Sequence, residues 1–156
     1  MKVCVTNGIQ PTMLESGISG LWTPRLIPLR GYCEETCTFC SQVCPTGAIQ
    51  PVSAKDKKHI IIGEARIDRS KCIAWNKGLE CLVCDEHCSY DAVYWKEKDG
   101  GPKPFIDPDK CVGCGICENK CPTGPDPAIV VYAPALEKRK LQRFARTSRE
   151  NPSVTQ

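Results

Sequence analysis

The sequence predicts a small α+β protein of duplicated units, each a short strand, a cysteine loop, a short helix and a second strand, with long irregular loops between them. Three observations carry that prediction. Thirteen of the 156 residues are cysteine, and twelve of these fall into three groups of four that all end on the same three-residue gap. The 41% hydrophobic fraction is about one fifth cysteine, which leaves a thin apolar core. Finally, 13 Pro and 12 Gly keep the elements short and the turns frequent. Something bound by the cysteines must therefore help to hold the chain together.

Residues 1–11 read as a partial repeat. Cys4-Val5-Thr6-Asn7-Gly8-Ile9-Gln10-Pro11 matches Cys44-Pro45-Thr46-Gly47-Ala48-Ile49-Gln50-Pro51 with one residue added, so Met1 is expected to be a start inside a repeat of an N-terminally truncated chain. Residues 12–32 are expected to wrap the body as an extended apolar segment. The first full repeat spans about 30–52 and holds Cys33, Cys37, Cys40 and Cys44. A polar turn at 52–59 leads to the second, 64–96, with Cys72, Cys81, Cys84 and Cys88. A further polar turn at 96–104 precedes the third, 104–133, with Cys111, Cys114, Cys117 and Cys121. Ile67-Asp68-Arg69-Ser70-Lys71-Cys72 matches Ile106-Asp107-Pro108-Asp109-Lys110-Cys111, so a short strand feeds each of the last two groups. A cysteine-rich body over 1–133 is thus followed by a basic tail, 134–156, expected to begin as a helix with Leu136, Lys140, Leu141 and Phe144 on one face.

Many cysteines serve either disulfides in an oxidising compartment or metal in a reducing one. An odd total fits complete pairing poorly, no apolar run is long enough to span a membrane, and the N-terminus has neither an apolar export region nor a twin arginine. The expected location is cytoplasmic, with peripheral membrane contact through the tail. Net charge is +3, but residues 137–150 hold six positive and two negative charges, so the body is slightly acidic and nucleic acid is not an expected partner.

Cys111-x2-Cys114-x2-Cys117-x3-Cys121-Pro122 follows the run that binds [4Fe–4S] clusters in bacterial ferredoxins. Three thiolates three residues apart wrap three corners of a cubane, and Gly113 and Gly115 let backbone N–H groups approach its sulfides. A ferredoxin-like fold is therefore expected. Zinc knuckles also use C-x2-C, though normally as two pairs across a longer gap. The first group, Cys33-x3-Cys37-x2-Cys40 with Phe39 before the last cysteine, also resembles the motif of radical-SAM enzymes, and a fragment of such an enzyme is the alternative reading.

In two-cluster ferredoxins the fourth cysteine of each group ligates the other cluster. Groups one and two can exchange in this way, which gives Cys33, Cys37, Cys40 with Cys88 for cluster 1, and Cys72, Cys81, Cys84 with Cys44 for cluster 2. Group three offers Cys111, Cys114 and Cys117, with Cys4 as the fourth ligand and Cys121 as the alternative; in the first case Cys121 is left over. The expected cofactors are thus two [4Fe–4S] clusters and a third.

Cys72-Ile73-Ala74-Trp75 followed by Cys81-Leu82-Val83-Cys84-Asp85-Glu86-His87-Cys88 resembles the signature of the NapG/MauM-type polyferredoxins over about residues 1–133. The resemblance implies single-electron relay to or from a partner oxidoreductase, in a larger complex and without catalysis by the chain itself. It also implies pairing of the first group with the fourth and the second with the third. Cys4 alone stands for the family's first group, Val5 replaces its proline and Ser89 replaces another. The eight-residue gap after Cys72 should form a lobe on which Trp75 packs. His87 and His59 read as surface residues, and Asp68 and Asp107 as turn caps.

Overall fold

The computed structural model describes residues 2–14, 17–98 and 100–133; the basic tail and its expected helix lie outside the described residues. As the Pro and Gly content requires, no described strand or helix exceeds five residues. The described strands form three two-stranded antiparallel sheets. β1 (Ile9–Pro11) pairs with β2 (Pro24–Leu26), β3 (Glu64–Ile67) with β6 (Ile129–Tyr132), and β4 (Val93–Glu97) with β5 (Pro102–Ile106). The helices are single turns: α1 (Phe39–Gln42), α2 (Ala54–Lys57), α3 (Ile73–Asn76), α4 (Val83–Glu86) and α5 (Ile116–Lys120). Among the described residues no helix is long and apolar enough to cross a membrane.

The β4–β5 hairpin sets Val93 opposite Ile106 and Tyr94 opposite Phe105. Directly opposed residues share a face, and Tyr94 stacks on Phe105 with centroids 5.8 Å apart. Trp75 of α3 meets Phe105 edge-on at 5.3 Å, donates its indole N–H to the Pro104 carbonyl at 3.1 Å, and carries the Arg69 guanidinium 4.3 Å above its ring. Each aromatic contact of this kind adds about 0.5–1.5 kcal/mol beyond burial. The x8 excursion of group two is thus a lobe pinned to the hairpin by Trp75.

The core is made of small residues and thiols: Ala65, Ala92, Cys111, Cys117 and Ile129 are buried together, with Ile67, Cys84, Cys88, Tyr90, Ile106, Cys121 and Val131 around them. Buried Glu118 joins α5 to β6, its Oε2 accepting the Val131 N–H at 2.6 Å. Burial pushes this carboxyl up and the N–H pulls it back.

Three linkers differ from expectation. Residues 12–32 lie against the body only at their end, where Pro28 meets Gly115 and Asn119. Buried Thr12 donates its N–H to Thr23 and accepts that of Trp22, both at 2.9 Å, and this closes a tip loop on the β1–β2 hairpin from which Leu14, Ile18 and Trp22 project into solvent. Residues 52–59 include α2, capped by Ser53, whose hydroxyl accepts the Asp56 N–H. Residues 46–51, expected to form a strand after group one, form turns and bends.

Candidate metal centre

The third cysteine of each group, Cys40, Cys84 or Cys117, lies on α1, α4 or α5, and the fourth follows the helix end. In group three Gly113 (φ 74°) and Gly115 (φ 88°) take the left-handed backbone that turns the loop between its ligands. Gly113 also lies against the Gly63 backbone, which a Cβ would overlap.

Two apolar cavities are walled by cysteine. The first is lined by Cys72, Cys81, Cys84 and Cys121, with Ile67, Ile73, Pro104 and Ile129 closing it. The second is lined by Cys111, Cys114, Cys117 and Cys88, under Tyr90, Val93 and Ile106. The structure therefore differs from the sequence expectation in its fourth cysteines. Cys88, expected beside Cys33, Cys37 and Cys40, stands with group three; Cys121, expected to be left over, stands with group two in the place expected for Cys44. The physical reason is strand pairing: β3 leads into group two and β6 leaves group three, so the β3–β6 ladder brings these two groups face to face.

Electrostatics bear out the proximity. Burial pushes the Cys84 thiol up to about 12, with Cys72, Cys81 and Cys121 adding to it. Burial also pushes up Cys117, helped by Cys114, Cys111, Cys84 and Cys88, and takes Cys114 to about 11. Crowded thiols in apolar cups ionise only when a compensating positive charge is supplied, which is what a bound iron centre does. Four thiols line each cup, beside the Thr123 hydroxyl in the first and the Tyr90 phenol in the second, and such soft sulfur sets suit iron–sulfur clusters or zinc. Among the described residues no three His, Cys, Asp or Glu side chains converge as a single ion requires.

In group one, Cys33 lies beside Cys37 and Cys40; burial raises its thiol, and Lys57 opposes the shift. The Cys4 segment runs alongside. The Thr6 hydroxyl donates to the Tyr32 carbonyl, and a Cβ on Gly8 would come within 2.5 Å of the Gly31 oxygen. Cys4, Cys44 and Cys121 share one local arrangement, with Sγ 3.4, 3.6 and 3.1 Å from the hydroxyl of the threonine two residues on. This C-x-T pattern is present in the sequence at Cys4, Cys44 and Cys121, while Cys88 is followed by Ser89 and Tyr90. Cys44 itself is half-buried, and the Ile49 N–H and the Thr46 hydroxyl lower its thiol to about 7.

Groups one and three touch directly. The Cys33 N–H donates to the Cys114 carbonyl at 2.8 Å, and the Asn119 amide donates to the Pro28 carbonyl at 2.8 Å. Tyr90 is wedged between these loops; burial raises its phenol, and Cys114, Cys33, Glu35 and Glu34 add to the shift. Asp68 and Asp107 cap turns, accepting the N–H of Ser70 at 3.0 Å and of Asp109 at 2.9 Å. His87 contacts the Val83 carbonyl at 3.0 Å through Nδ1, and His59 is exposed. Lys57 and Tyr90 escaped the sequence reading, since nothing in a lysine-rich turn or in the Cys-Ser-Tyr step distinguishes them.

Residues 77–125 match the family model of a 4Fe-4S dicluster domain. That span holds both sets of exchanged fourth cysteines. The chain is 31% identical over 99 residues to the methylamine utilization ferredoxin-type protein MauM of Methylobacillus flagellatus, covering 56% of this chain and 42% of the relative. It is 29% identical over 159 residues to the ferredoxin-type protein NapG of Escherichia coli, covering 90% and 64%. It is 40% identical over 58 residues to an uncharacterized ferredoxin of Methanocaldococcus jannaschii, covering 37% and 82%. The chain belongs to the ferredoxins, and it is similar to the NapG and MauM ferredoxin-type proteins. As a ferredoxin-type protein its cofactor class is the [4Fe–4S] cluster, and the cysteine-walled cups have the donors for it. The chain spans less than two thirds of the length of the MauM and NapG relatives.

Proposed function

We propose that the chain is an electron carrier that holds three [4Fe–4S] clusters and passes single electrons between a donor and an acceptor protein, with no substrate chemistry of its own. The observation that carries this reading is the exchange of Cys88 and Cys121 between groups two and three, the ligand pattern of two-cluster ferredoxins. Cys72, Cys81, Cys84 and Cys121 hold one cluster; Cys111, Cys114, Cys117 and Cys88 hold the second. The third takes Cys33, Cys37 and Cys40 with Cys4. The β1–β2 hairpin links Cys4 to group one as the β4–β5 hairpin links Cys88 to group three, which supports Cys4 as that fourth ligand. Cys44 is then the thiol left over.

A cluster bound in such a site supplies one-electron chemistry at a potential set by its surroundings. The chain's own residues present the thiolates, and Ile67, Ile129, Val93 and Ile106 keep water from the two cups. A radical-SAM centre needs one iron without a cysteine ligand; with Cys4 beside the group-one loop, the relay is the better supported reading. A larger oxidoreductase complex is the setting we propose, with the positive charge of residues 137–150 suited to an acidic partner surface.

Iron and sulfide analysis with EPR on anaerobically prepared protein tests this. About twelve iron per chain is expected for three cubanes, with a reduced spectrum indifferent to S-adenosylmethionine. A colourless zinc protein, or a spectrum changed by S-adenosylmethionine, overturns it. In the loaded protein Cys44 is expected to be the thiol alkylated first by iodoacetamide, with a rate that rises through about pH 7 as the thiolate forms. Peptide mapping after a short pulse reads this out.

A further inference from the structure

We propose that Lys57 is the resident cation of the group-one site: it holds the Cys33–Cys37 loop in shape and raises the reduction potential of the cluster bound there, leaving the other two unaffected. The inference rests on group one being a cluster site, as proposed above. The Lys57 ammonium donates to the Glu34 carbonyl at 3.3 Å and to the Cys37 carbonyl. Both acceptors lie in the loop that runs from Cys33 to Cys37.

That loop is one residue longer than its counterpart in group three, where Cys111 and Cys114 are two residues apart and left-handed Gly113 makes the turn. Group one has no glycine between Cys33 and Cys37; its sequence there is Glu34-Glu35-Thr36. Buried or half-buried carbonyls need partners, and the amine of Lys57 supplies one to two of them at once. Its position is fixed by the local sequence. Ser53 caps α2, accepting the Asp56 N–H at 3.1 Å and donating its hydroxyl to Asp56 at 2.6 Å. Lys58 then pairs with Glu35 at 2.5 Å and anchors the far end of the helix to the same loop.

Lys58 occupies the nearby Glu35 carboxylate, and none of the ion pairs among the described residues involves Lys57. Its charge is therefore directed at the loop and at Cys33, whose thiol it stabilises in the ionised form. For Cys84, Cys114 and Cys117 burial is the largest influence, followed by neighbouring thiols and backbone N–H groups. A thiolate-bound cluster becomes more negative by one charge on reduction, so a fixed cation nearby favours the reduced form. The group-one loop has such a cation in Lys57.

The test is an EPR-monitored redox titration, with dithionite as reductant, of the full chain as wild type, Lys57→Gln and Lys57→Arg, with iron counted on the same samples. In Lys57→Gln one midpoint of three is expected to move to more negative potential while the other two stay; Lys57→Arg is expected to keep all three. Full iron with no shift, or an equal shift of all three, overturns the proposal. If Lys57→Gln loses the group-one iron, Lys57→Arg decides: full iron with unshifted midpoints supports the cation, and loss in both variants overturns it. A wild-type count of about eight iron, two cubanes, would instead sink the group-one cluster itself, a failure distinct from that of Lys57.

Discussion

In the Cys121→Ala protein, iron is expected to fall from about twelve to about eight atoms per chain, the content of one cubane, and the loss is that of the group-two cluster. Cys121 sits with Cys72, Cys81 and Cys84 in an apolar cup, where a missing thiolate leaves an iron with no protein ligand and no water-accessible substitute. The same substitution at Cys44 is expected to leave iron unchanged, because Cys44 lines neither cup. The sequence-based pairing gives the opposite order: Cys44 essential and Cys121 dispensable. Iron and sulfide counted on the two variants side by side therefore separate the assignments, and retention of iron in Cys121→Ala would return the spare role to that residue. Cys4→Ala belongs in the same series, with loss of group-one iron expected.

The second large effect is steric. Gly113→Ala places a methyl group on the Gly63 backbone, at a residue whose φ of 74° already disfavours any side chain. The Ile62 and Gly63 N–H groups both donate to the Val112 carbonyl, at 2.8 and 3.2 Å, so the clash pries apart the contact that leads into β3. Left-handed strain and overpacking together are worth about 2–4 kcal/mol. Thermal unfolding of the loaded protein is expected to show the loss as a clearly lowered Tm. Gly78→Ala is the control: Gly78 has a φ of 67° and nothing within 4 Å of its virtual Cβ, so it carries the strain without the clash. Equal losses in the two variants would mean that the Gly63 contact contributes nothing.

Why were the cysteines legible and their partners not? Ligand spacing is local chemistry, and three thiols at i, i+3 and i+6 write a cluster loop directly into the chain. The fourth ligand depends on which loops face each other, and that is decided by β3 pairing with β6 across more than sixty residues. β2 escaped notice because Pro24-Arg25-Leu26 offers three residues, one of them proline, and no alternation. Lys57 was hidden for the same reason as Cys121: its acceptors lie 20 and 23 residues away, and a run of lysines looks solvated until the loop it fills is known. The C-x-T pattern shared by Cys4, Cys44 and Cys121 is visible in the sequence, but it misses Cys88 and so does not pick out the partners.

The exchange of Cys88 and Cys121 also orders events during synthesis. Every proposed group-one ligand has been made once Cys40 leaves the ribosome, and the group-three set is complete at Cys117. The group-two cup waits for Cys121, the last cysteine of this sequence, and its Ile129 wall comes with β6, the last of the described strands. A growing chain thus carries three exposed group-two thiols while the rest of its body is assembled. On the proposed ligand assignment, a chain cut short before Cys121 is expected to lack this centre while keeping the ligands of the other two.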